Sequence, residues 1–200
     1  MLSRSKILSL FFILVFISVE FIFRFQIEKI TGFSIYLFEV LWVLAILLIY
    51  RSFEWFSKKK ILRWLTIALL AGVLGAWVQL YAFHSGITIP FDYENKDTLL
   101  LLLLVGPLQE EFVFRLGLWK VFSDLIANKW ILILITTLFF SYSHYDMIAV
   151  LPASMHDFIK FQAKYTFLLG IICGYLRWNF GMAATILAHL LFNLGFWLAR

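Results

Sequence analysis

The chain has 200 residues, 63% of them hydrophobic and 14% charged, with 17 Lys and Arg against 12 Asp and Glu. Soluble domains are about 45–50% apolar, so this composition excludes an ordinary soluble globule, and no polar stretch approaches the roughly 50 residues of a separate soluble domain. The net charge of +5 sits on Lys and Arg clustered between apolar runs, where it sets membrane topology and does not imply nucleic-acid binding.

The first apolar run covers about 7–23 and follows Arg4 and Lys6. It resembles a signal peptide, but no small-residue cleavage site follows, so it reads as a retained span. Further runs cover about 33–50, 61–83, 98–118, 130–146, 164–178 and 180–198, each near the roughly 17–25 residues that cross a bilayer. The sixth is short and begins near Phe158 if Lys160 and Lys164 snorkel to the interface. Leu118 to Lys129 reads as an interfacial helix or a loop. The expected fold is an all-α, polytopic transmembrane helix bundle of about seven spans (six to eight) in one integral-membrane domain, residues 1–200. N-terminal spans occupy about 7–83, and the motif-bearing part about 98–198.

The connection Arg51 to Arg63 carries Arg51, Lys58, Lys59, Lys60 and Arg63 against Glu54. The positive-inside rule makes it cytoplasmic and places the N-terminus, with Arg4 and Lys6, on the same side. The loop His84 to Asp97, with Asp92, Glu94 and Asp97, then lies outside. Trp55, Trp64, Trp130 and Trp178 fall near span ends, as interfacial Trp does. Cys173 is the single cysteine and cannot form an internal disulfide. Gly170 and Gly174 form a small-xxx-small pattern suited to close helix packing.

The fourth run holds three ionisable residues in six positions: Glu110, Glu111 and Arg115. A charge near the bilayer centre costs roughly 2.5–3.5 kcal/mol on insertion scales, so these groups face the bundle interior or a wet cavity. In a helix, Glu111 and Arg115 lie one turn apart on one face and can pair. Glu110 lies about 100° to one side, without an intrahelical partner, and is the reactive candidate. Pro107 removes a backbone donor and crowds the carbonyl of residue 103, bending the helix or starting a new one. His144 ends the fifth run, and His189 and Asn193 share a face of the seventh at i and i+4. His84 and His156 sit in or beside loops and read as structural.

Together these groups suit hydrolysis. A carboxylate and a histidine can hold and deprotonate a water, and a second histidine with an asparagine can donate to an oxyanion. Ser141 and Ser143 lack the Gly-rich turn of a nucleophile elbow. The alternative is zinc on Glu110, Glu111, His144 and His189, since carboxylate and imidazole both suit that metal, although no HExxH helix is present. Depth counting at about 1.5 Å per residue sets Glu110 and His189 about 12 Å from the cytoplasmic side and His144 about 9 Å further across. A non-enzymatic alternative is a bacteriocin-immunity protein or a proton-coupled transporter, because buried Glu and His also form proton relays.

Glu110-Glu111-x-x-x-Arg115, Phe140-x-x-x-His144 and His189-x-x-x-Asn193 occur in that order, with Gly174-Tyr-Leu-Arg-x-Asn-Phe-Gly181 ahead of the last. This set resembles the CPBP family of CAAX-protease and bacteriocin-processing (Abi) membrane proteins, which includes the Rce1-type prenyl-protein endopeptidases. The motifs lie within residues 106–193. The resemblance implies a glutamic intramembrane endopeptidase that needs no metal, in a bacterial or archaeal cytoplasmic membrane. Glu110 would be the base, His144 would help position the water, and His189 and Asn193 would form the oxyanion hole, with Glu111 and Arg115 in support. Its partners would be membrane lipids and a membrane-associated protein or peptide substrate, such as a prenylated C-terminus, a bacteriocin leader or a sorting tail.

Overall fold

A computed structural model describes residues 3–22, 35–50, 55, 61–92, 94–149 and 151–200. Among these residues the chain forms seven helical segments and no strand. Helix α1 spans Arg4–Ile17 and continues through a π turn, Ser18–Ile22. Helices α2 and α3 are Ile35–Tyr50 and Ile61–His84. The fourth segment, α4, is composite. It is α-helical over Lys96–Leu100, Gly106–Glu111 and Trp119–Ser123, with π stretches at Leu101–Val105 and Phe112–Leu118. Helix α5 is Lys129–Tyr145, α6 is His156–Phe180 and α7 is Met182–Leu198.

The boundaries have local causes. The Asn95 and Asn128 side chains accept from Asp97 N at 2.8 Å and Trp130 N at 2.9 Å, capping α4 and α5. Gly181 separates α6 from α7 at φ 91°, a conformation that glycine adopts freely. Helix α6 begins at His156, well before the short run about 164–178, so its first turns carry Asp157 and Lys160. The fourth segment also outruns its expected end. Trp119, Val121 and Phe122 are buried, and the chain beyond Leu118 is helix rather than loop up to Ser123.

Consecutive segments run up and down. Ser9 meets Tyr50 at 2.7 Å and donates to Asp124 at 3.1 Å, which ties the first turns of α1 to the last of α2 and the end of α4. Arg63 donates to the Tyr175 hydroxyl at 3.2 Å, joining the start of α3 to the end of α6. Three stretches, Arg4–Ile22, Ile61–His84 and Lys129–Ala149, are long and apolar enough to cross a membrane. Leu37–Tyr50 and Met182–Leu198 are shorter apolar helices. Leu62, Leu69, Val73 and Phe83 stand exposed along α3, an apolar stripe that water would penalise and lipid covers. The protein is an integral-membrane helical bundle. The basic stretch Arg51 to Lys60 that oriented the sequence lies outside the described residues, Trp55 excepted. Trp55, Trp130 and Trp178 are exposed, whereas Trp64, in the first turn of α3, is buried against the bundle.

Small residues set the closest approaches. Gly170 and Gly174 face α5, where a Cβ would meet Thr137 Cγ2 at 2.7 Å and Ile133 Cγ2 at 2.9 Å. Helices α3 and α7 cross nearer still: a side chain on Gly75 would strike the Phe192 carbonyl, and one on Gly195 the Gly72 carbonyl. Backbone cannot yield as a side chain does, so any Cβ here forces the helices apart. Gly195→Ala should therefore lower stability by about 1–3 kcal/mol, read as a fall in thermal midpoint in detergent. An unchanged midpoint would contradict this packing.

Candidate active site

The polar residues of α4, α5 and α7 meet in the bundle interior. Glu111 and Arg115 are fully buried, with Arg115 Nε 3.7 Å from Glu111 Oε2. Arg115 Nη2 donates to the Gly170 carbonyl at 3.2 Å, and its guanidinium lies 4.6 Å from the Phe140 ring centroid. Gly170 has no side chain to intrude, since a Cβ there would sit 3.2 Å from Arg115 Nη2. Arg177 Nε donates to the Arg115 carbonyl at 2.9 Å. The pair anticipated from helical phase is thus formed and held by α5 and α6.

Glu110 faces the other way. Its Oε1 is 3.6 Å from His144 Nε2 and its Oε2 is 3.4 Å from His189 Nε2. Each imidazole is oriented by its other nitrogen. His144 Nδ1 donates to the Phe140 carbonyl at 2.9 Å, an acceptor that fixes the proton on Nδ1. His189 Nδ1 lies 2.9 Å from Glu111 Oε1. Histidine 189 therefore bridges the two glutamates, with its Nδ1 on the paired Glu111 and its Nε2 on Glu110. The Glu110 side chain keeps 30% of its exposure, against 3% for His189.

The offset expected for His144 is absent, and the reason is the length of α4. Measured from Ser123 rather than Leu118, Glu110 lies about 20 Å along its helix, and His144 about 22 Å from Lys129, at 1.5 Å per residue. His189 joins them because the turn before α7 is itself internal. Phe180 and Met182 are buried, and Ala183 N donates to the Trp55 carbonyl at 2.9 Å.

Asn193 Nδ2 donates to the Leu102 carbonyl at 2.7 Å. The local helix explains why that carbonyl is open. Gly106 N bonds Leu101 O, an i→i+5 register. In that register the partner of Leu102 O is residue 107, a proline with no N–H. The proline thus releases the carbonyl at 102, not the one at 103 that an α register would give. Asn193 satisfies it with one amide hydrogen and has a second to offer.

A cavity of about 70 Å³ is lined by Glu110, His144, His189 and Asn193, together with Gln162 and Thr166. That volume holds a few waters. Gln162 and Thr166 were not singled out in the sequence, though their i, i+4 spacing on α6 makes a polar face that was there to read. Ser141 and Ser143 donate to the carbonyls of Ala163 and Phe140. His84 and His156 bond the carbonyls of Leu80 and Leu151. None of these four lines the cavity.

The zinc alternative can be tested against the donors. The side chains grouped within 4.8 Å are Glu111, Cys173 and His189, not the four named above. Their types suit zinc. Both Glu111 oxygens, however, are already directed at Arg115 and His189 Nδ1, and a cation bound there would lie against a buried guanidinium. The residues fit an ion-pair network better than a metal.

Comparison with known proteins identifies one family. Residues 97–195 match the Rce1-like family model, described as type II CAAX prenyl endopeptidase Rce1-like. No curated protein and no solved structure matches significantly. Arg115→Met, which leaves Glu111 buried without its cation, should cost about 3–5 kcal/mol. Adding Glu111→Gln should recover part of that loss. Thermal midpoints of the single and double variants check the coupling, and additive losses would contradict it.

Proposed function

Proceeding from residues 97–195 as a member of the Rce1-like family, we propose that this chain is a glutamic intramembrane endopeptidase acting as one membrane domain. The observation that carries the reading is the Glu110 carboxylate set between two imidazole Nε2 atoms at 3.6 and 3.4 Å on a small polar cavity. Both imidazoles are thus within ion-pair reach of Glu110, and a water on the cavity side can hydrogen-bond to the carboxylate and an imidazole together.

In this mechanism a water in the cavity is held by Glu110 and His144. Glu110 takes its proton as the water oxygen bonds the scissile carbonyl carbon. The carbonyl electron pair moves to oxygen, and the oxyanion accepts from the spare Nδ2 hydrogen of Asn193 and from an N–H of His189. Glu111 on His189 Nδ1 holds that ring in place, as a buried carboxylate orients a catalytic imidazole. The tetrahedral intermediate collapses, the C–N bond breaks, and the departing amine receives the proton from Glu110. Arg115 neutralises Glu111 and touches no reacting atom. Every step uses the chain's own side chains.

The substrate is a membrane-associated protein or peptide. The family description directs the first test to a peptide ending in a prenylated Cys-aliphatic-aliphatic-X motif, with bacteriocin leaders and sorting tails next. The setting is a bacterial or archaeal cytoplasmic membrane with the N-terminus inside, as the basic sequence between α2 and α3 favours.

Glu110→Gln keeps the shape and removes the base, so cleavage should fall about 10²–10⁴-fold with membrane insertion intact. Full activity in that variant, or solute flux in liposomes without cleavage, would overturn the assignment. Asn193→Ala should cost about 10²–10³-fold in kcat, read with a fluorogenic prenylated peptide in detergent. Activity should survive EDTA; loss restored by zinc would replace the metal-free mechanism.

A further inference from the structure

Helix α2 lies outside the family-matched residues, yet three of its side chains grip α4. The Glu39 carboxylate accepts a hydrogen bond from Gln109 Nε2. The Trp42 indole occupies the space that a side chain on Gly117 would need. Tyr50 places its ring 4.9 Å from Lys120 Nζ. Residues 39, 42 and 50 are separated by about one and three helical turns, so they lie along one side of α2. The helix acts as a splint from Gln109 to Lys120, across the second π stretch.

A splint matters there because Gly106–Glu111 is a six-residue α interval with a π stretch on each side. Register can shift at such boundaries, and π bulges recur at functional sites. The interval is therefore placed by its neighbours as much as by its own ladder. Asn193 holds its approach at Leu102, and Arg115 anchors its exit to Gly170. At Gln109, the residue beside Glu110, the restraint comes from Glu39, a carboxylate with 8% exposure on an apolar helix. A buried acid in a membrane segment is costly to retain without a role.

We propose that Glu39 is a positioning residue for the reaction. Through Gln109 it fixes the short α interval so that the Glu110 carboxylate stays between His144 and His189. This rests on Glu110 being the base. Glu39 touches no reacting atom. Its contribution is geometric, and displacement by about 1 Å is enough to cost about 10²-fold in rate.

The test compares Glu39→Ala, Glu39→Gln, Gln109→Ala and the double Ala variant, with Glu110→Gln alongside. Cleavage of the fluorogenic prenylated peptide and hydrogen exchange of residues 101–118 are both read. Glu39→Ala should lower kcat about 10–100-fold with KM and thermal midpoint nearly unchanged, and should speed exchange in that segment. Glu39→Gln retains an acceptor oxygen and should restore both readouts. Gln109→Ala should match Glu39→Ala, and the double variant should be no worse than either. Losses that add, a Gln variant as poor as Ala, or kcat falling only in step with the midpoint would overturn the proposal. Exchange separates this outcome from the catalytic assignment: if Glu110→Gln stays active, Glu110 is not the base, while exchange still reports whether Glu39 restrains α4.

Discussion

Glu111 and Arg115 are both withdrawn completely from solvent. Removing two charges from water costs several kcal/mol per ion, and their attraction offsets this only when the remaining donors and acceptors are also met. The contacts this pair makes recruit the surrounding helices, although Glu111 Oε2 and Arg115 Nε and Nη1 are buried without a hydrogen bond. The Gly170 carbonyl comes from α6, the Phe140 face from α5 and the His189 imidazole from α7. One buried pair therefore draws four segments together, and those segments carry every group of the candidate site. Glu110 is left as the carboxylate that this network does not consume.

The second constraint is the irregularity of α4. In a continuous α-helix Pro107 would leave open the carbonyl at 103 and not the one at Leu102 that Asn193 reaches. The π register at Leu101–Val105, with Pro107 at its end, opens the Leu102 carbonyl, and α7 is tied down by filling it. The same departure leaves the Glu110 interval dependent on outside support, which makes the N-terminal half more than a membrane anchor. Helix α2 couples a region without recognisable motifs to the region that holds them all.

Much of this was legible because polar residues stand out in apolar runs. Glu110, Glu111, Arg115, His144, His189 and Asn193 were conspicuous for that reason, and helical phase alone separated Glu110 from Glu111. The seven helices followed from run length. The π stretches left no trace, since Leu-Leu-Leu-Leu-Val and Phe-Val-Phe-Arg-Leu-Gly-Leu fit an α register equally well; Pro107 marked a break without naming the carbonyl released. Leu118 to Lys129 stayed open between helix and loop because Lys120 interrupts the apolar pattern, yet that charge is paired with Asp124 at 3.3 Å and Trp119–Ser123 is helical. Glu39 and Gln109 were not singled out: Gln109 is overshadowed by the adjacent Glu110 and Glu111, and nothing in the spacing joins residues 70 positions apart. Cys173 resembled any small core residue until the fold set it beside Glu111 and His189.

Adjacent glutamates with opposite duties are the centre of this account, and each has its own signature. The direct measurement takes Glu110→Gln and Glu111→Gln in parallel, recording cleavage rate and thermal midpoint on the same preparations. Glu110→Gln should lose cleavage and keep its midpoint, because that carboxylate faces the cavity. Glu111→Gln should lose midpoint, because Arg115 is left buried without its anion. The reverse pattern, a stable Glu111→Gln protein without activity beside an active but destabilised Glu110→Gln protein, would contradict the division of labour between them.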